Sequence, residues 1–357
     1  MTIPGLTRPS EAPQPQVETP PDPSRDTRVV AVVNQKGGVG KSTTAVNLGA
    51  AVAEIGKRVL VIDMDPQGNA STGLGIEPAR RQVGTYQVMS QGIPVDEAIL
   101  ETVVAGVWAI PSTIDLAGAE IELVGQISRE TKLARAIEPV LPRFDFVFVD
   151  CPPSLGLLTV NALAAAHELI VPIQSEYYAL EGLGQLLRNV RLVQQSLNPR
   201  LRLTGIVITM FDSRTKLAEQ VVAEVRRYFG SRVYDTVIPR TVRLSEAPGF
   251  GMPITAYDPS SKGAEAYRDL AKEFLAREAS DDPLPEHEPP AVITMQPAGD
   301  EVPGENGDEN GDEEPDAAGA AEAVVSAWEA ARSEEENGKD GEPEGWVTPG
   351  PEGGDQQ

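Results

Sequence analysis

Runs of apolar, often β-branched residues alternate along the chain with stretches whose apolar positions recur every three to four residues. The first pattern marks strands and the second marks helices. Strands are expected at residues 28–34, 58–63, 107–111, 144–150, 168–173, 201–210 and 233–239. Several are apolar at every position, as strands buried on both faces are. Helices are expected at 42–55, 155–166, 180–196, 216–229 and 263–277. Strand and helix in alternation, without an internal repeat, predict an α/β fold with a doubly wound, mostly parallel sheet flanked by helices. Such sheets bind ligands in the crevice at the carboxyl ends of their strands.

The pattern stops at both ends. Residues 1–27 form a Pro-rich extension, and residues 279–357 are dominated by Glu, Asp, Gly and Pro. From Ser280 onward 23 acidic residues face 2 basic ones, so this stretch carries −21 of the chain's net −24. The low pI of about 4.5 is therefore a property of the tail and does not exclude nucleic-acid binding by the rest. Segments this poor in apolar residues cannot offset chain entropy, and both ends are expected to be disordered. That leaves 28–278 as the domain. Inside the tail, residues 316–332 are Ala-rich with Val324, Val325 and Trp328 near helical spacing, a candidate for folding on an unidentified partner.

The single cysteine, Cys151, excludes a disulfide within the chain and reads as a small buried filler. His167, at a helix-to-strand junction, reads as structural. No run approaches the roughly 18 apolar residues of a membrane span, and the start lacks a charged-then-apolar signal pattern. A cytoplasmic protein without a membrane partner is expected.

The chemistry gathers first at Asn34-Gln35-Lys36-Gly37-Gly38-Val39-Gly40-Lys41-Ser42-Thr43, between the first strand and the first helix. Glycines there let successive N–H groups curl toward phosphate oxygens, and the helix start adds a favourable dipole. Lys41 is expected on the β- and γ-phosphates of ATP, and the Ser42 hydroxyl on Mg²⁺. The motif departs from G-x-x-x-x-G-K followed by Ser or Thr, because Gln35 stands where the first Gly belongs and Lys36 adds a second lysine.

In this the segment resembles the deviant Walker A family, K-G-G-x-G-K followed by Ser or Thr, which includes the ParA/Soj proteins, MinD and the nitrogenase iron protein. The resemblance implies a P-loop ATPase that dimerises on ATP, with Lys36 crossing to the partner's nucleotide. A positive charge placed there does the work of an arginine finger. Residues 36–43, Lys36 through Thr43, become the expected nucleotide contacts.

Asp63 and Asp65 close the second strand two residues apart, so both leave one side if extension continues. They resemble the family's D-x-D-P-Q, which implies that Asp65 orients the attacking water. Asp63 is assigned to the magnesium shell or the first switch. Residues 144–153 resemble the Walker B strand and second switch, which implies that Asp150 holds Mg²⁺ through water.

Further along, residues 209–215 resemble T-M-x-D-x-R-T, and residues 238–248 resemble I-P-R-N-V-R-L with E-A-P after it; both belong to the ParA/Soj branch. The likeness runs collinearly over about 28–277. It implies adenine contacts from Met210, Pro239 and Thr241, where Thr241 replaces a frequent Asn. It also implies non-specific DNA binding by Arg214 and Arg243, with Arg240 as a weaker candidate, through phosphate neutralisation. A nucleoid-associated protein that segregates chromosome or plasmid origins is expected. Its partner is a ParB-type centromere-binding protein that stimulates otherwise slow hydrolysis. The other branches fit less well. An iron protein needs two cysteines per subunit, MinD a basic amphipathic terminal helix, and the bacterial tyrosine kinases a terminal tyrosine cluster. A positioning ATPase for a protein cargo, or a metabolic ATP-dependent enzyme of the same fold, stays open from the sequence.

Overall fold

The computed structural model describes residues 27–176 and 179–277. The Pro-rich extension before Thr27 and the acidic tail, with its candidate helix at 316–332, lie outside the described residues. The strands are β1 Arg28–Val32, β2 Val59–Asp63, β3 Leu100–Glu101, β4 Val107–Ile110, β5 Phe146–Asp150, β6 Glu168–Gln174, β7 Arg202–Phe211 and β8 Val233–Pro239. The first six helices are α1 Lys41–Glu54, α2 Asn69–Gly73, α3 Val95–Ala98, α4 Leu116–Val124, α5 Lys132–Ile137 and α6 Leu157–Ala165. Then follow α7 Ala179–Ser196, α8 Lys216–Phe229, α9 Val242–Glu246, α10 Ile254–Tyr257 and α11 Lys262–Ala276.

The strands form one sheet in the order β3-β4-β2-β5-β1-β6-β7-β8. Every pairing is parallel except β3 with β4, so the sheet is mostly parallel as the pattern predicts. Helices cover both faces. In β1, Val29 and Ala31 join the core under α4 to α8, while Val30 and Val32 join the core under α1 and α11. In β5, Val147 and Val149 go one way and Phe146 and Phe148 the other. Two-sided burial is the physical reason these strands carry no polar alternation.

Helix α1 is almost wholly buried, from Thr44 through Ala53. Its Ala-rich composition lets it lie close to the sheet: a side chain at Gly49 would touch Val59, Val61 and Phe148 at 3.4–3.6 Å. A helix apolar on all sides belongs in such a place. By contrast, α8 and α11 bury one stripe each, Val221, Val222 and Val225 in the first and Tyr267, Leu270 and Phe274 in the second.

Gly205 is the tightest point of the sheet. It faces Ile170 where the β6–β7 register shifts, and a Cβ there would stand 2.2 Å from Cε2 of the fully buried Tyr234. Gly205→Ala is therefore expected to destabilise the domain by about 1–3 kcal/mol through overpacking. Thermal unfolding would register this as a fall of roughly 2–4 °C per kcal/mol. An unchanged midpoint would mean that Tyr234 moves aside freely.

Candidate active site

Sheet order reverses around β1, whose neighbours are β5 and β6, and the loop of residues 33–40 leaves from that point. Neighbouring strands hold this loop. Asn34 donates its side-chain amide to Pro172 O (2.7 Å) and accepts from Lys36 N–H (2.9 Å). The Thr209 hydroxyl, on β7, lies 2.8 Å from Val39 O and 3.0 Å from Ile173 O, within donating distance of both. Gly38 and Gly40 take the left-handed backbone, at φ of 75° and 85°, which a side chain would strain. Gly40 also caps α1 without any side-chain hydrogen bond, so the first N–H groups of the helix remain for a ligand.

A cavity of about 450 Å³ opens over this loop, within the range of small-molecule sites. Of the expected nucleotide contacts, Gly37, Gly38, Gly40, Lys41, Ser42 and Thr43 line it. Val39 turns its side chain into the interior, and Lys36 is not a lining residue. The Lys36 amine pairs with Glu176 at the surface, with the Lys36 side chain 47% exposed. Lys41 is only 6% exposed and its amine donates to Lys36 O at 3.1 Å. Burial lowers the Lys41 pKa, and the charges of Asp150 and then Asp65 oppose that fall.

The three carboxylates divide into separate roles. Asp65 lines the cavity, and its Oδ1 accepts from Gln67 N–H at 2.9 Å. Asp150 is fully buried beside Asp63 in the β2–β5 register, and neither of its oxygens makes a hydrogen bond of good geometry. Its pKa is pushed well up by burial and then by Asp63, with the Ser42 hydroxyl beside it as the chief counterweight. Buried carboxylate oxygens without donors suit a cation or its water shell, and Ser42 stands next to them. Among the described residues no three acidic, His or Cys side chains gather into a metal cage.

Asp63 is tied into its own loop. Expected in the magnesium shell or the first switch, its carboxylate accepts Asp65 N–H (3.1 Å), Ser71 N–H (2.8 Å) and the Ser71 hydroxyl (2.6 Å). Burial lifts its pKa to about 6, while the Ser71 bonds act in the opposite sense.

The expected adenine contacts fall on separate parts of the fold. Met210 lines the cavity, held in the left-handed region at φ 52° with its sulfur 2.8 Å from the Gln174 amide. Pro239 and Thr241 do not line it; Pro239 ends β8 and the Thr241 hydroxyl caps α9 by accepting Leu244 N–H at 3.3 Å. Sequence reasoning missed Val46, Asn47, Thr72, Pro248 and Met252 in the wall. Asn47 carried a signal, as a buried amide in an Ala-rich helix: it donates to Thr43 O (2.7 Å) and accepts Ile254 N–H (2.6 Å), tying the 247–254 segment to α1.

Of the arginines, Arg214 is 86% exposed and forms a two-pronged pair with Asp212 at 2.7–2.8 Å. That pair holds the Asp212 pKa down at about 2, with a smaller contribution from Arg240. Arg243 meets Glu246 at 3.1 Å and Asp258 at 3.5 Å. Cys151 is buried and its thiol pKa is raised by that burial, and His167 accepts Val29 N–H within the sheet, so both are structural as expected.

Fold and site together define an α/β domain of the P-loop NTPase class. A model of the AAA domain family matches residues 27–203. The chain is 57% identical to the sporulation initiation inhibitor protein Soj of Bacillus subtilis over 70% of this chain and 98% of that protein. It is 50% identical to the chromosome partitioning protein ParA of Myxococcus xanthus, over 72% of this chain and 90% of that one. A solved structure named cobyrinic acid a,c-diamide synthase, from Mycobacterium smegmatis with a bound ATP analog and magnesium, is 42% identical. It covers 70% of this chain and 95% of its own, at a TM-score of 0.62. The chain belongs to the Soj/ParA family of chromosome-partitioning ATPases.

Proposed function

We propose that this chain is an ATP-dependent, dimerising switch that holds non-specific DNA in its ATP state. In this reading it segregates chromosome or plasmid origins with a ParB-type centromere-binding partner. The observation that carries the reading is the turn after β7. Met210 lines the cavity, and four residues further on Arg214 stands in solvent. One short turn thus joins the nucleotide to a candidate DNA contact.

Lys41 and the loop N–H groups cradle the β- and γ-phosphates of ATP. Ser42 and Asp150 would hold Mg²⁺, which when bound would supply positive charge beside the phosphates. The apolar wall of Met210, Pro248 and Met252 takes the adenine. Asp65 orients the attacking water. Lys36 has no role inside its own cavity, which Lys41 already serves. Its exposure at the loop supports reach to the nucleotide of a second subunit. Hydrolysis is slow until the partner stimulates it, and the protein works on the nucleoid in the cytoplasm.

Arg214 and Arg243, with Arg240, neutralise DNA phosphates. The ion pairs of Arg214 and Arg243 are exposed and weakened by water and salt, so phosphates can replace the carboxylates. Retention on non-specific duplex is expected with ATP, but not with ADP or without nucleotide, and it should weaken with salt. Arg214→Ala combined with Arg243→Ala should remove it, and the log–log salt slope should flatten by about 0.9 per lost contact. Equal weak binding in all nucleotide states would discard the DNA step and point to a protein cargo. Turnover that requires a small carboxylate substrate would instead favour a metabolic ATP-dependent enzyme of the same fold.

A further inference from the structure

We infer that Ser71 is a positioning residue for hydrolysis: bridging the Asp63 carboxylate and the Ser112 N–H, it sets where the Asp65 carboxylate stands. This rests on the reading that Asp65 orients the attacking water.

The chain leaves β2 at Asp63, passes Asp65, turns at Gly68 (φ 65°) and enters α2. Two groups of Ser71, its N–H at 2.8 Å and its hydroxyl at 2.6 Å, converge on Asp63 Oδ2. The other Asp63 oxygen accepts Asp65 N–H at 3.1 Å. The Ser71 oxygen in turn accepts Ser112 N–H, at 3.0 Å, just beyond the end of β4. A chain of hydrogen bonds therefore runs from β4 through Ser71 and Asp63 to the backbone of Asp65. Each link is buried, where such bonds are strong and a missing partner is costly.

Ser71 does not line the cavity, although Asn69, Thr72 and Gly73 around it do. Its hydroxyl has no direct path to a nucleotide, so any effect on turnover passes through the loop that it holds. An alanine keeps the Ser71 N–H bond and loses both hydroxyl bonds. That loosens the hold on the Asp63 carboxylate and leaves Ser112 N–H without the Ser71 oxygen.

Thr85 provides a matched control. It is equally buried, and its hydroxyl lies 2.7 Å from the Asp63 carbonyl and not from the carboxylate. Thr85→Val removes a buried hydrogen bond near the same residue but leaves the Ser71–Asp63–Asp65 chain intact.

The test uses the full chain with Asp65→Ala, Ser71→Ala, Ser71→Thr and Thr85→Val. It reads single-turnover hydrolysis at saturating ATP, ATP affinity and the unfolding midpoint. Ser71→Ala should lower the rate by about 10- to 100-fold, the effect of a misplacement near 1 Å, with ATP affinity unchanged. Ser71→Thr, which keeps the hydroxyl, should recover most of that rate. Thr85→Val should lose stability without a comparable loss of rate. A normal rate in Ser71→Ala beside a dead Asp65→Ala overturns the inference. Equal rate losses in Ser71→Ala and Thr85→Val overturn it too, because stability alone would then explain both. A normal rate in Asp65→Ala overturns the underlying reading of Asp65 itself.

Discussion

Asp65→Ala is expected to lower ATP turnover by about 10²–10⁴-fold, the usual worth of a positioned acid or base, while ATP still binds. Three features of the site support that size. Asp65 is the one expected catalytic carboxylate that lines the cavity, at 7% exposure. Its Oδ1 accepts Gln67 N–H at 2.9 Å, which fixes the rotamer. Its charge also acts on Lys41, so it belongs to the same electrostatic group as the phosphate lysine. Removing it leaves the loop glycines, Lys41 and Ser42 in place, so affinity for nucleotide should survive. The variant should consequently accumulate in the ATP-bound dimer and stay on DNA. Phosphate release, with nucleotide affinity measured in parallel, decides the matter. Turnover at the wild-type rate would move the water-orienting role to another residue. Asp65→Asn, which keeps an oxygen for Gln67, separates loss of charge from collapse of the loop.

Lys41→Ala is expected to weaken ATP binding by about a hundredfold or more, near 3 kcal/mol, and to abolish ATP-dependent DNA retention. Lys41 is buried at the start of α1, and burial alone would favour its neutral form. Asp150 and Asp65 favour the charged form, so the ammonium is held ready for phosphate. Alanine removes that charge from a site shielded from water, where it counts most, and leaves the carboxylates unopposed. Lys41→Arg should not rescue, because a planar fork does not fit where a compact ammonium donates to Lys36 O. Titration with ATP gives the answer, and circular dichroism checks that the variant is folded. Unchanged affinity would show that the loop backbone alone binds the phosphates.

The strands of the sheet interior were legible because burial on both faces leaves an unbroken apolar run. Long helices with one apolar stripe, such as α8 and α11, were legible for the complementary reason. Helix α4 was not assigned. It buries Leu116, Ala119 and Leu123, yet its outer face carries exposed Ile121 and Val124, so polarity does not distinguish the two sides. The two-residue β3 and the single turns α2, α3 and α9 are too short to show any period. Neighbours hold them: Ser112 N–H and Asp63 meet at Ser71 in α2, and the Thr241 hydroxyl caps α9.

What the sequence by itself determined is local chemistry. A glycine-rich loop between an apolar strand and an Ala-rich helix, with Lys41 and Ser42 at its end, has one physical use, because those backbone angles and charges suit phosphate. The tertiary structure alone decided which similar side chains share that site. Asp63 and Asp65 look alike two residues apart, but Ser71 takes up the Asp63 carboxylate while Asp65 lines the cavity. Pro248 and Met252 join Asn47 in the wall because residues distant in the chain meet there, Ile254 N–H reaching Asn47 across 207 residues. Spacing along a chain cannot encode such meetings, since they depend on how loops from separate strands pack over the end of one helix.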